Sequence, residues 1–526
     1  VTVREQSMLG VMEALTNKPE WRRKVFDEAI VAKWGSEVVD NDPDGRNFTD
    51  DMFDYCIAEL RNKAKQHEDT GIVRVLDIVA SVVKSDELVP EELRLKLIEA
   101  VKLLENVPEK QKDWHPGSDE KVLDLVHPSL FPLIYGVSRV FPTEAEKVGV
   151  QDCMKRCGEG EVIRAPKGQF GDYNGFISRR FQWLPSEVSF QAGGKVKFES
   201  YVNNLHPTHD APLYPILEEI VALAIPLWNE TLSSVTHTHN QQRLRIRIDH
   251  IEYDWPNGEW DDHEPAEDEP DEEDRDAYYD YREEWMRNNR ILAYPEPETY
   301  DEDLKHFAAN PPPPAVDLRK QIPNGVQVIV KLANIHLTPE KPEYEGGSWH
   351  VEGFVNEHIC ATALYYYDCE NITDSHLGFR QYTDTIDMSG KSYGQDDNEG
   401  VEVVYGIENE SPSVQPVGRI LARQSRFLAF PNIFQHRVAP FRLQDRTKPG
   451  HRKIVALFLI DPYVKVISTA NVPPQQRDWW AEELLKNGGI GDLPAELVGQ
   501  VVNDVDDFPV SLEKAKELRE ELMEER

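Results

Sequence analysis

Cysteine is scarce in this sequence, with five in 526 residues. An odd and sparse set does not make a disulfide framework. Cys153 and Cys157 stand four apart and could share a helix face, but no second pair at ligand spacing accompanies them, so packing is their expected role. Positive charge is also short: Lys and Arg total 58 against 95 Asp and Glu, a formal charge of −37. That balance argues against a surface built for nucleic-acid phosphates or anionic membranes. No apolar run reaches transmembrane length, and Val1 to Gly10 carries Arg4 and Glu5 instead of a signal peptide's apolar core. A reduced, cytoplasmic setting is therefore expected. No internal repeat is present, and nothing in the residues reports an oligomeric state.

What is there speaks for a folded protein. The chain is 40% hydrophobic, with 11 Trp, 19 Tyr and 19 Phe, and is long enough for several domains. The stretch from Val326 to Asp461 organises the rest. Its centre is Gly346-Gly347-Ser348-Trp349-His350-Val351-Glu352-Gly353, followed later by Phe430-Pro431-Asn432-Ile433-Phe434-Gln435-His436-Arg437-Val438-Ala439-Pro440. His350, Glu352 and His436 form an H-x-E…H set. Two histidines and one carboxylate can hold Fe(II) on one face and leave the other positions open. On a strand, residues two apart point the same way, so His350 and Glu352 can reach one metal together. His436 must then come from a distant strand.

The flanks read as strands. Val326 to Leu337 is β-branched and apolar, and Ile359 to Tyr367, Arg419 to Phe430 and Arg452 to Ile460 follow. Arg452, Ile454, Ala456 and Phe458 share one face of the last of these. The stretch His436-Arg437-Val438-Ala439-Pro440 … Gly450-His451-Arg452-Lys453-Ile454-Val455-Ala456 … Phe458 resembles the H-x-V-x-P … G-x-R-x-x-x-A … F pattern of the Fe(II)/2-oxoglutarate oxygenases. The resemblance implies that Arg452 binds the far carboxylate of 2-oxoglutarate, for which a planar guanidinium suits. Arg446, in the polar loop before that strand, is the rival.

A second resemblance covers most of the chain. It rests on Lys18-Pro19-Glu20-Trp21, Asp113-Trp114-His115-Pro116-Gly117-Ser118, Val126-His127-Pro128-Ser129-Leu130-Phe131-Pro132-Leu133, Ser200-Tyr201-Val202-Asn203-Asn204-Leu205-His206-Pro207 and Leu337-Thr338-Pro339-Glu340 through Gly353. With these the chain resembles a family of large, mostly fungal proteins known as a domain of unknown function. That family conveys no substrate. Glu352 stands where the oxygenase superfamily more often has Asp.

The expected fold class is α+β: a double-stranded β-helix (jelly roll) core with extensive N-terminal and C-terminal helical additions. Residues 1–110 are read as a helical cap, with helices over Trp21–Trp34, Asp50–Gln66, Ile72–Val83 and Glu91–Leu104. Residues 111–315 extend the core with strands, a helix from Tyr214 to Leu227, a strand over Arg243–Tyr253 and an acidic loop over Glu259–Asp276. Residues 316–465 are the catalytic core, and 466–526 are C-terminal helices.

Other histidines invite a metal reading. His115 and His127 precede prolines and have no further ligand at fixed spacing, so structural roles are expected. His237 and His239 form an H-x-H without a third ligand nearby. Asn203, Asn204 and His206 could face substrate or cap a turn. Phe379-Arg380-Gln381-Tyr382 is a candidate substrate contact. Gly390-Lys391-Ser392 ends like a phosphate loop but lacks its first glycine.

The reading is an Fe(II)/2-oxoglutarate-dependent dioxygenase, with His350, Glu352 and His436 on the metal and Arg452 on the cosubstrate. The expected substrate is a small molecule rather than a protein, with no nucleic acid and no membrane as partner. Two alternatives stay open: a cupin-type metalloenzyme that does not use 2-oxoglutarate, and a catalytically silent jelly-roll scaffold.

Overall fold

The computed structural model describes residues 1–39, 48–78, 80–141, 147–165, 176–235, 244–260, 269–270, 274–311, 313–383, 398–486, 495–505 and 508–526. His237, His239, Gly390-Lys391-Ser392 and residues 261–268 and 271–273 of the acidic run lie outside these.

The chain divides into two compact units. The first gathers Val1–Ala64, Gln241–Pro311 and Arg380–Gly418. Its helices include Val3–Thr16, Glu28–Val39, Arg275–Asn289 and Tyr300–Ala309. The expected helix over Trp21–Trp34 is broken here, Trp21–Lys24 ending before Glu28–Val39 begins. The expected strand over Arg243–Tyr253 is also corrected, since only Tyr253–Asp254 is extended in pairing. The alternation there is spent on buried charge instead. Arg245 donates to Glu59 at 2.8 and 2.7 Å, and Arg247 to Asp303 at 2.6 Å. A buried arginine keeps its charge only with such partners.

The second unit gathers Lys65–Asn240, Pro312–Phe379 and Arg419–Arg526. It contains a nine-stranded sheet. Its strands in chain order are β1 (Val73–Val75), β2 (Val82–Ser85), β3 (Val122–Val126), β4 (Ser186–Phe190), β5 (Val196–Phe198), β6 (Val326–Leu337), β7 (Ile359–Glu370), β10 (Phe427–Pro431) and β12 (Gly450–Ile460). A smaller three-stranded sheet uses β8 (Ser375–Tyr382), β9 (Val414–Ala422) and β11 (Gln435–Val438), of which residues 375–379, 419–422 and all of β11 belong to this unit. The large sheet runs β1-β2-β10-β7-β12-β6-β4-β5, with β3 also on β6. Its pairings are antiparallel. The fold is thus mixed helix and antiparallel sheet.

The helix expected over Ile72–Val83 is corrected: β1 and β2 pair there, and β2 continues onto β10 through Phe427 and Ser85. Val73, Val75, Val82 and Val83 are stiff at χ1 and suit a pleated surface better than a helix. The strand expected over Arg419–Phe430 is two strands, β9 and β10, parted by a turn in which Ser425 takes φ +67°.

Side chains alternate across the large sheet. Val328, Val330 and Leu332 of β6 and Val455, Leu457 and Leu459 of β12 belong to one core with Leu217, Ile220, Val221, Ala224 and Trp228 of helix α1 (Leu213–Val235). That apolar stripe at helical spacing is why α1 forms and why it lies on this face. The opposite face carries Lys331, Thr362, Tyr366 and Arg452. The small sheet is tied to it by Phe379 of β8 against Phe430 of β10, ring centroids 5.0 Å apart. Two helices close the unit's C-terminal part, α2 (Arg477–Lys486) and α3 (Leu512–Glu525). Among the described residues no helix is long and apolar enough to cross a membrane.

Candidate metal centre

His350 and His436 are neighbours because their backbones pair. The His350 N–H donates to the His436 carbonyl at 3.2 Å, and the His436 N–H returns the bond at 2.9 Å. The glycines before His350 let this happen. Gly347 donates to the Val438 carbonyl at 3.0 Å. Gly346 has φ +94°, and a Cβ there would sit 2.8 Å from the Val438 oxygen. A side chain at Gly346 would therefore push the His350 segment off β11.

Glu352 follows in a bend rather than in a continued strand. Asn432, from the turn between β10 and β11, holds it: its Oδ1 accepts from the Glu352 N–H at 2.9 Å and its Nδ2 donates to the Glu352 carbonyl at 2.8 Å. The Glu352 Oε1 then lies 3.2 Å from His436 Nε2 and 3.8 Å from His350 Nε2. One ligand atom from each of the three residues lies within 4.8 Å of the others, a group able to hold a metal ion. The His436 side chain is 5% exposed and that of His350 48%, so the cluster opens to solvent on the His350 side.

The electrostatics suit a cation. Burial pushes the Glu352 carboxyl up, but hydrogen bonds from His350 and His436 outweigh it and hold the group well below the usual carboxylate range. Burial pushes His350 down, and the Glu352 carboxylate raises it on balance. Burial lowers His436, with Glu352 opposing. Lys331, on β6, is near enough to work against protonation of His350.

Two further clusters meet the same distance criterion: His115, Asp124 and His127, and His206, His209 and Glu482. Hydrogen bonding separates the three. A ligating imidazole gives its second N–H to an acceptor and turns a bare nitrogen to the metal. His350 does this, with Nδ1 2.9 Å from the Ser348 carbonyl and Nε2 toward Glu352. His436 meets only half of this: its buried Nδ1 receives no donor and so can carry the ring proton, with Nε2 turned to Glu352, but no acceptor bonds it. His127 and His206 are set the other way. The Ser129 N–H donates to His127 Nδ1 at 3.2 Å, and those of Thr208 and His209 to His206 Nδ1 at 3.1 Å. When neutral, each ring then carries its proton on Nε2. The Arg519 guanidinium also stands 3.7 Å from Asp124, where a metal ion would meet its repulsion.

Arg452 of β12 is buried on the same face of the large sheet as Tyr366. Its Nη1 donates to Ser375 Oγ at 2.6 Å, and the rings of Tyr366 and Phe441 lie 5.5 and 5.1 Å from the guanidinium carbon. Its Nε has no hydrogen-bond partner, and among the described residues no carboxylate pairs with it. Arg446, the rival, is spent on a surface ion pair with Glu343 at 2.6 Å.

Other residues singled out in the sequence lie elsewhere. Asn203 and Asn204 donate to carbonyls of the 127–131 loop, at 3.0 Å to Phe131 and 2.9 Å to His127. Phe379, by contrast, lies at the triad: it packs on Phe430 and Phe434 and reaches the His436 ring, centroids 6.4 Å apart. Several contributors were not picked from the sequence. Lys331 had a signal, a lone cation inside an apolar strand. Asn432 sits four residues before His436, but an asparagine in a turn is too common to stand out. Ser375 and Glu482 act on partners far along the chain, and nothing local marks them, whereas Asp124 stands nine residues after His115 and three before His127.

A family model described as a protein of unknown function (DUF4246) matches residues 50–483, and the model of that family's N-terminal domain matches residues 1–37. No curated protein matches the sequence. Among solved structures, a BsmA homologue from Methylobium petroleophilum is 11% identical over 33% of this chain and 57% of its own, with a TM-score of 0.16. IDO from Bacillus thuringiensis is 12% identical over 30% and 56%, at 0.16. The Fe(II)/α-ketoglutarate-dependent dioxygenase TqaL is 14% identical over 32% and 57%, at 0.17. The chain spans little more than half the length of each of these.

Proposed function

We propose that this chain, which belongs to the family described as a protein of unknown function (DUF4246), is an Fe(II)- and 2-oxoglutarate-dependent oxygenase with a double-stranded β-helix core. The observation that carries the reading is the buried Arg452 guanidinium, which has no carboxylate partner among the described residues, in the same unit as a histidine-glutamate triad in which the His350 Nδ1–Ser348 hydrogen bond turns Nε2 toward Glu352. An unpaired charge in a protein interior costs several kcal/mol. A dianionic cosubstrate would remove that cost.

His350, Glu352 and His436 would hold Fe(II), and Arg452 with Ser375 would hold the far carboxylate of 2-oxoglutarate. With both groups bound and O2 as the oxidant, the site would supply oxidation of a substrate C–H bond coupled to decarboxylation of the oxo acid, one oxygen atom going to the substrate and the other to succinate, with CO2 released. The chain's own part is placement. Asn432 fixes Glu352, the Ser348 carbonyl fixes the His350 ring, and the aromatic rings around Arg452 keep water from the guanidinium.

The test is anaerobic titration of Fe(II) and then 2-oxoglutarate into the protein, following the weak visible charge-transfer band of the chelate. The band is expected in wild type, absent in His350→Ala and weakened in Arg452→Ala. Iron uptake without a band would favour the cupin-type enzyme that does not use 2-oxoglutarate. No iron uptake would favour a silent scaffold.

A further inference from the structure

Glu352 is followed by a tight turn that builds a second feature. Gly353 has φ +70°, and a Cβ on it would lie 2.4 Å from Glu357 Oε2. The turn brings the buried Glu357 carboxylate back on the chain, where it accepts from the N–H of Phe354 at 2.7 Å and of Trp183 at 2.6 Å. Two backbone donors fix its position. The Trp183 ring forms one wall and also meets Phe458 of β12, centroids 5.7 Å apart. Phe354 forms another wall. The result is a carboxylate floor with aromatic sides, beginning two residues after Glu352.

This pocket holds a guanidinium. Arg526, directly after α3, places its Nη2 2.8 Å from both Glu357 oxygens. Its guanidinium carbon lies 3.7 Å from the Trp183 ring centroid and 4.9 Å from that of Phe354. A planar cation between aromatic faces, over a carboxylate, is the recognition geometry for arginine. Burial lowers the Arg526 pKa, with Glu357 and the more distant Glu352 opposing. Burial likewise raises Glu357. The rest of α3 has its own anchors: Arg519 reaches Asp113 at 2.6 Å, and Leu518 and Leu522 are buried. Arg526 can therefore leave the pocket without the helix leaving its place.

We propose that the pocket of Trp183, Phe354 and Glu357 is a subsite for a guanidinium-bearing substrate, and that Arg526 occupies it in cis until substrate displaces it. As a substrate subsite it rests on the oxygenase reading; as a guanidinium pocket it stands without it. The position beside Glu352 would present the chain of a bound arginine-like molecule to the triad. The ligand chemistry is shared by free guanidino compounds and by arginine within peptides.

The test is calorimetric titration of the full chain, without iron or 2-oxoglutarate, using L-arginine, a blocked Gly-Arg-Gly peptide and L-citrulline. Arg526→Ala and Arg526→Gln are run beside wild type. At least one arginine probe is expected to bind at least ten-fold more tightly to both variants than to wild type, and citrulline, the neutral isostere, to neither. Tightening for the amino acid alone would assign a small molecule, and for the peptide alone a peptidyl arginine. Unchanged affinity in a variant whose circular dichroism matches wild type would overturn the proposal, as would equal binding of citrulline. Because no metal is present, a missing iron–2-oxoglutarate band would sink the oxygenase reading while leaving this result standing.

Discussion

Asn432 touches no candidate ligand atom, yet it grips both backbone polar groups of Glu352 and donates to the Ile359 carbonyl at 3.0 Å as well. A carboxylate in a bend needs this, since no strand ladder fixes its direction. Partners that orient a ligand typically matter by about 10–100-fold in metal affinity. Asn432→Ala is expected to weaken Fe(II) or Mn(II) binding by about that factor while leaving the far-ultraviolet circular dichroism unchanged. Metal affinity equal to wild type in calorimetry would show that Glu352 is placed by other means. The same scale explains which sites the sequence could show. His350 and Glu352 are two residues apart, and His436 precedes V-x-P, so their pattern is local. Asp124 stands three residues before His127 and meets His115 by the local pairing of the chain, whereas Glu482 joins His206 and His209 from another segment altogether. The sequence therefore offered His115 with His127, and His206 beside Asn203 and Asn204, without marking Asp124 or Glu482 as their partners. Hydrogen-bond direction and the Arg519 guanidinium beside Asp124, both invisible in a sequence, separate the three.

At the scale of elements, α2 is held by chemistry that acid should undo. Glu482 of α2 lies 2.9 Å from His209 Nε2 and 3.4 Å from His206 Nε2, with Trp479 packed on the His206 ring at 4.7 Å. The charged and titratable groups facing His206 are His209, Glu482 and Lys486. Burial, then the charge of His209, lowers His206 from 6.5 to about 4. Burial raises Glu482, but Lys486 and His209 outweigh it and bring it from 4.5 to about 2. Both folded values lie below the unfolded ones, so the unfolded chain binds more protons in each window. Stability is then full above about pH 6.5, falls toward pH 4 through His206, and falls further below 4.5 through Glu482. The His206 part is worth roughly 3 kcal/mol at most. Amide exchange in α2 is expected to speed up as pH drops from 6.5 to 4, after correction for intrinsic rates, and His206→Gln is expected to flatten that dependence. An α2 whose protection does not change over this range would remove the clasp. Elements also show where pattern reading strained. Val326–Leu337 and Leu213–Val235 are long and unambiguous in period, whereas Ile72–Val83 is short and apolar, and its strand character comes from pairing with Phe427–Ala429 far along the chain. Arg245 and Arg247 gave a strand-like alternation that buried ion pairs, not a sheet, account for.

For the whole molecule, the useful fact is that each compact unit draws on several separated stretches of chain. Every residue of the triad, with Arg452, Ser375 and Asn432, belongs to the second unit. The first unit has its own buried charge system, in which Arg245 and Lys63 hold Glu59 down to about 2 against the burial that raises it. A ligand stabilises what binds it by RT ln(1 + [L]/Kd), about 2.7 kcal/mol at a hundred times Kd. That gain reaches only amides whose opening breaks the site. Mn(II), a stand-in without iron's oxygen chemistry, added with 2-oxoglutarate should therefore slow exchange in β6, β11 and β12, which carry Lys331, His436 and Arg452. Exchange in Val3–Thr16 and Tyr300–Ala309 of the first unit should not change. The contrast tests the site and the division together. Slowing in neither unit would deny the metal reading, and equal slowing in both would mean that the units open as one. Slowing confined to the second unit, and lost in Arg452→Ala when 2-oxoglutarate is added but not with Mn(II) alone, would separate the guanidinium's role from that of the triad.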